Sequence, residues 1–282
     1  MKSLPKRFIK WTTTIFLLVT LSPLLGQFQV SPMLIEHYIE NNESAITTID
    51  VKNNKNAPLQ LSIYLKDKAF IDGVESEVLP GTFERSCSDW IFFTPSVLNL
   101  APKESRTIRL NINIPDSAKG TYWSNLYIEE TSAPEPKTYE RKNKEGDVVA
   151  FQLNINMRVG ILITQTVPGT SIRSGLIETI DFRYDNEKNS GFIDFQFSND
   201  GNSISECLGW VEFRDIDGLT VKKIDLDYIP KIYPLEKRNF TIEVPKDLIS
   251  GEYSALAIID YSGSQLVAGE IIFEYLNPED EE

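Results

Sequence analysis

The stretch Val149-Ala-Phe-Gln-Leu-Asn-Ile-Asn-Met-Arg-Val-Gly-Ile-Leu-Ile-Thr-Gln-Thr-Val167 decides how the whole chain is read. Its odd-numbered positions carry Val149, Phe151, Leu153, Ile155, Met157, Val159, Ile161 and Ile163. The even-numbered ones carry Ala150, Gln152, Asn154, Asn156, Arg158, Gly160, Leu162 and Thr164. Successive side chains of a strand point to opposite faces, so this period of two predicts one continuous strand with a single buried face. At about 3.3 Å per residue, a strand running from Val149 to Ile163 spans roughly 50 Å, against about 5–6 residues for an ordinary strand. One small sandwich cannot cover so long an apolar face. A second domain, a break near Gly160 or another polypeptide must cover the remainder.

Outward from this strand, the same alternation recurs. Leu59, Leu61, Ile63 and Leu65 line one face of a strand, as do Ile108, Leu110, Ile112 and Ile114. Phe28 to Glu40 reads as an opening strand in which Pro32 forces an edge position or a bend. Residues 66–89 are mixed and charged and read as a surface loop with a short strand at most; Thr131 to Asp147 has almost no apolar content and reads as a long loop. An internal repeat links the two halves. Pro102-Lys-Glu-Ser-Arg to Pro115 and then Gly120-Thr-Tyr122 parallels Pro234-Leu-Glu-Lys-Arg to Pro245 and then Gly251-Glu-Tyr253. In each, a proline turn precedes an alternating strand that a second proline ends, and a glycine turn leads to a tyrosine-bearing strand. Strands recurring about every 8–12 residues, with no long helical period, predict an all-β chain of two tandem immunoglobulin-like β-sandwiches.

Residues 1–26 have the pattern of a signal peptide: Lys2, Lys6, Arg7 and Lys10 are followed by an apolar run, Trp11 to Leu25, and by Gly26. The expected division is 1–26 signal peptide, 27–168 first sandwich, 169–277 second sandwich and 278–282 acidic tail. The formal charge of the whole chain is −13, and −17 once the four cations of the signal are gone. So acidic a chain repels phosphate backbones and is not expected to bind nucleic acid. No stable membrane insertion is expected after signal cleavage. Cys87 and Cys207 allow one disulfide between the halves or two buried thiols.

Chemistry is sparse. His37 is the one histidine, flanked by Glu36 and Glu40 without a second metal-ligand side chain nearby, so no metal or acid–base role is expected. Asp215-Ile-Asp-Gly218 lacks the rest of a calcium loop and reads as a turn. Trp90, Trp123 and Trp210 sit in alternating strands and read as core anchors. Neither enzymatic activity nor a cofactor is expected.

Thr94-Pro95, Leu98, Leu100, Pro102, Arg106 to Leu110, Tyr122-Trp123 and the alternating strand together resemble the PapD-like superfamily of periplasmic pilus-assembly chaperones. The first half carries the better match. The resemblance implies a periplasmic or secreted, non-catalytic protein that lends apolar side chains to a β-rich pilus or surface subunit. Phe151, Leu153, Ile155, Met157 and Val159 would form the client-binding strand, with Arg158 as a carboxylate or edge contact. Family members grip the client's C-terminal carboxylate with an Arg in the first strand and a Lys or Arg late in the lending strand. Here Phe28 to Glu40 has neither, and Arg158 lies ten residues before Pro168. The Pro-ended strand pairs are also similar to secreted proteins of the WxL-interacting group. The alternative is therefore a structural or adhesive surface module that binds cell-wall glycan or a protein through loops 66–89 and 131–147.

Overall fold

A computed structural model of the chain describes residues 27–131, 137–142, 148–153 and 156–277. Among these residues the first half forms β1 (Phe28–Ser31), β2 (Leu34–Tyr38), β3 (Ser44–Asn53), β4 (Leu59–Ile71), β5 (Val74–Val78), β6 (Ile91–Thr94) and β7 (Val97–Leu100). There follow β8 (Ser105–Asn113), β9 (Gly120–Glu130), β10 (Lys137–Lys142), β11 (Val148–Leu153) and β12 (Arg158–Val167). The second half forms β13 (Gly175–Asp185), β14 (Ser190–Asn199), β15 (Leu208–Arg214), β16 (Thr220–Asp225), β17 (Lys237–Glu243), β18 (Gly251–Asp260) and β19 (Val267–Tyr275).

These strands build two sandwiches. In the first, a sheet in the order β1-β3-β8-β6 faces one in the order β2-β12-β9-β4-β5, with β7 also paired to β4. In the second, β13-β14-β17 faces β16-β15-β18-β19. Each sandwich closes over its own apolar core. The alternating residues Leu61, Ile63, Ile108, Leu110 and Ile112 fill the first, and Ile193, Phe195, Phe197, Val211 and Phe213 the second.

Four local expectations change. The opening strand is two: a cis Ser31–Pro32 peptide lies where the chain leaves the first sheet as β1 and enters the other as β2. Residues 66–89 are not a simple loop, because β4 runs on to Ile71 and turns back through Asp72-Gly73 into β5. The segment 131–147 contains β10, which pairs antiparallel with β11. The long strand is also two strands, β11 and β12, parted between Leu153 and Arg158 and not near Gly160. Period-two alternation runs unbroken across that gap, because it records which face is apolar and not whether the ladder is continuous.

The repeat seen in the sequence is matched by a recurring set of hydrogen bonds at a buried corner of each sandwich. Asn53 donates Nδ2 to the carbonyls of Ala57 (2.9 Å), Leu100 (3.3 Å) and, without a counterpart in the second sandwich, Ala101 (2.9 Å), while its Oδ1 accepts from Lys55 N–H (2.8 Å). Asn199 donates to the carbonyls of Ser203 (3.0 Å) and Ile232 (2.9 Å), and its Oδ1 accepts from Gly201 N–H (3.0 Å). The N–H of Asn53 bonds Glu104 O at 2.9 Å, and that of Asn199 bonds Glu236 O at 3.1 Å. Each of these glutamates accepts a backbone N–H, from Ala101 or Tyr233, and the guanidinium of Arg106 or Arg238. Lys103 (φ 63°) and Leu235 (φ 68°) make the same left-handed turn before them.

The sandwiches meet tightly. Thr121 N–H donates to Asn202 O (2.8 Å), and Asn202 in turn bonds Thr170 O and Ile172 N–H. Gly120 has φ +75°, and a Cβ there would lie 2.2 Å from Asn202 O, so this approach requires glycine. Trp123 packs edge-on to Tyr233 at 5.0 Å, and Lys231 reaches across to Glu36 at 2.7 Å. Burial pushes the Tyr233 phenol up to about 12. No disulfide joins the halves: Cys87 lies free in the first core and Cys207 free in the second. Two cysteines in separate cores cannot meet without moving the backbone.

Candidate functional site

The described residues of the organising stretch grade from core to surface. Ile163 and Ile161 are wholly buried, whereas Val159 and Met157 are half-buried and only lean on the first core. Farther along, β11 carries Phe151 opposite Tyr139 and Leu153 opposite Lys137 of β10. Ile155 lies outside the described residues. The apolar period thus continues past the point where this sandwich's own core thins out.

The backbone margins are equally graded. On one side β9 pairs with the whole of β12, from Arg158↔Glu129 to Val167↔Gly120. On the other, β2 pairs in parallel, but only from Leu162↔Leu34 to Thr166↔Tyr38. Met33 O takes the N–H of Leu162, and Gln165 Nε2 donates to Ile39 O. Among the described residues no strand pairs with the second margin of residues 158–161, nor with the margin of β11 opposite β10. Unpaired N–H and C=O groups along a strand are a template for another chain.

Beside β12 and β2, where the sandwiches join, lies a polar cleft of about 250 Å³ lined by Glu36, Thr164, Thr166, Arg173, Glu206 and Lys231 among others. Its two cations come from the second half of the chain, not from the first strand or the lending strand. Lys231 is held between Glu36 (2.7 Å) and Glu206 (3.4 Å), and the hydrogen bond to Glu36 raises its ammonium above the usual lysine range. Arg173 donates to Ser262 O at 3.1 Å. Neither residue had a local signal in the sequence: Lys231 stands alone between two prolines, and its approach to Glu36 is a contact 195 residues apart in the chain.

Arg158 is engaged within the protein. Its guanidinium lies 4.4 Å from the centre of the Tyr127 ring and donates to Glu77 Oε2 at 3.2 Å. The remaining sequence candidates have structural partners. His37 Nε2 and Thr47 Oγ1 lie 2.9 Å apart, and burial holds the imidazole below its ordinary pKa. The Asp215 carboxylate accepts the N–H groups of Asp217 and Leu219 and so closes its own turn. Trp123 is buried and donates to Lys68 O, Trp90 packs on Tyr122, and Trp210 lies under Lys223. Among the described residues no cluster of His, Cys, Asp and Glu is arranged to hold a metal ion. No helix among them is long and apolar enough to cross a membrane.

With this geometry in view, the comparisons are informative. No protein-family model matches the sequence, and no curated protein does. Solved structures do align with it. A chain of the CFA/I chaperone–tip adhesin complex aligns at 16% identity and a TM-score of 0.47, covering 89% of this chain and 100% of that one. The class 5 fimbriae chaperone CfaA aligns at 17% identity and a TM-score of 0.44, covering 88% and 99%. A chain of the CsuC–CsuE pre-assembly complex of Acinetobacter baumannii aligns at 15% identity and 0.39, covering 77% and 91%. At these identities each likeness is one of fold alone.

Proposed function

We propose that this protein is an exported, non-catalytic chaperone that captures a β-rich client, a pilus or surface subunit, by adding its own strand to the client's sheet. The supporting observation is the mismatch along the ribbon. Apolar residues continue at period two through β11, while the burial that this sandwich provides fades from Ile161 to Met157 and one backbone margin has no described partner. In this mode main-chain hydrogen bonds give affinity and alternate side chains give specificity. Phe151, Leu153, Ile155, Met157 and Val159 supply those side chains. β10 pairs with one margin of β11, and its sequence Lys137-Thr-Tyr-Glu-Arg-Lys142 is of the charged kind that opposes open-ended self-pairing.

The loop-based adhesive reading has less support, because the two segments proposed for it contain β5 and β10. The deciding experiment replaces Leu153 and Ile155 together by Asp in the mature chain and measures capture of subunits from a periplasmic extract. Strand lending requires capture to be lost while the fold survives. Full retention by a folded variant sinks it, and deletion of residues 133–145 abolishing capture while the Asp pair does not would instead favour the adhesive module.

A further inference from the structure

Arg158 is the first residue of β12, the strand that follows β11 in the chain. Its side chain does not point along the strand. It crosses the outer face of the six-stranded sheet, with its guanidinium carbon 4.4 Å from the centre of the Tyr127 ring on β9, and ends on Glu77 of β5, the far edge strand. The guanidinium therefore spans from β12 past β9 and β4 to β5. Tyr127 is able to lie under it because its cross-strand partner is Gly160: a Cβ there would come within 2.8 Å of Tyr127 Cε1. Tyr64 stacks on Tyr127 at 5.8 Å, and its hydroxyl, which donates to Glu129 directly opposite Arg158, also lies against the Arg158 guanidinium. Lys66 holds the other oxygen of Glu77 at 3.2 Å, which aims that carboxylate toward the clasp.

We infer that Arg158 is a positioning residue, which sets the direction in which β11 leaves the sheet by clasping the root of the ribbon to Tyr127 and Glu77, and is not a contact to the client's carboxylate. The inference rests on the strand-lending reading for its purpose but not for its test. A lent strand has to meet the client's groove in one register and at one angle, and ordering it beforehand lowers the cost of association.

The test uses the mature chain with spin labels at Thr138→Cys on β10 and Asn113→Cys on the first sandwich; mass spectrometry checks that the two buried native thiols stay unlabelled. Pulsed electron–electron resonance then reads the distance distribution between ribbon and sandwich. Arg158→Met is expected to broaden it, Glu77→Gln to do the same, and Arg158→Lys, which keeps the charge but loses the flat stacking on Tyr127, to fall between. In parallel, capture of subunits should weaken about 3- to 10-fold for Arg158→Met, the range that one cation–π contact and one exposed ion pair supply. Should Arg158→Met unfold the protein, Glu77→Gln alone carries the measurement. An unchanged distribution in both variants overturns the assignment and returns Arg158 to the list of client contacts. Loss of capture in the Leu153/Ile155 variant with an unchanged distribution in the Arg158 variant would fail this inference alone; the reverse pattern would fail strand lending and leave the clasp standing.

Discussion

Truncating the ribbon one apolar residue at a time should produce two opposed gradients. Ile163 and Ile161 have no exposed surface and sit in the first core. Replacing either by Ala leaves a cavity that costs about 2–5 kcal/mol. Val159 and Met157 are half-buried, so the same truncation removes about half as much sheltered surface and costs about 1 kcal/mol. On the strand-lending reading, Leu153→Ala and Phe151→Ala remove side chains meant for another protein and change stability by no more than about 0.5 kcal/mol. Client capture should show the opposite order, with Leu153 and Phe151 each costing more than about 1 kcal/mol as central apolar anchors. Urea unfolding followed by tryptophan fluorescence reads the first series, since Trp90 and Trp123 report on the first sandwich and Trp210 on the second. Binding to a purified client subunit reads the second series. A Leu153→Ala variant that loses as much stability as Ile161→Ala would show that Leu153 is a core residue of this chain, and there would be nothing to lend.

The remaining expectations concern the frame that holds the ribbon. Asn53→Ala deletes four side-chain hydrogen bonds and Asn199→Ala three, and both strand backbone groups, so each should cost about 3–5 kcal/mol; urea unfolding of the two variants checks this, and a several-fold inequality would contradict the structural repeat. The carboxyls of Glu77, beside Lys66, Glu104, taking the Ala101 N–H and Arg106, and Glu212, beside Arg214, are all held below the ordinary range. Their stabilisation is present above the unfolded carboxyl value of about 4.3 and is lost as pH falls through their lowered values, so stability followed by circular dichroism should hold down to about pH 4.3 and decline below it. Burial pushes the Cys87 thiol strongly up and that of Cys207 up to about 12. Both should therefore resist a thiol reagent at pH 8 in the native protein and react fully in denaturant; fewer than two reactive thiols in denaturant would reveal a disulfide.

How much of this was legible in the sequence depends on whether the deciding contact was local. Alternation located the core strands, because burial of one face needs nothing beyond the strand itself: Leu61, Ile63, Ile108 and Leu110 are all interior as read. The repeat around Pro102 and Pro234 was legible for the same reason, and it turned out to encode the Asn53 and Asn199 corners as well. The β4–β5 hairpin was not, since Val74-Glu-Ser-Glu-Val78 is an edge strand whose exposed carboxylates pair with Lys66 and Lys68 and leave no apolar period to detect. The cleft cations were hidden for a stronger reason: Lys231 meets Glu36 only after both sandwiches have docked.

The open margin itself shows how a local signal can set a distant one. Pro32 cannot donate to a ladder, and it stands where the chain crosses from one sheet to the other. The strand beyond the crossing therefore begins only at Leu34, and its first partner on β12 is Leu162. Among the described residues, 158–161 lack on that side the cover that β2 gives to the rest. The length of uncovered ribbon is thus fixed by where a proline ends β1, about 130 residues earlier in the chain. Moving that crossing two residues toward the N-terminus, by Pro32→Val together with Val30→Pro, should lengthen β2 and extend its pairing to Gly160. Amide exchange at Gly160 and Ile161 would slow, and client capture would fall in proportion to the margin withdrawn. If exchange slows and capture does not fall, the margin is not where the client binds.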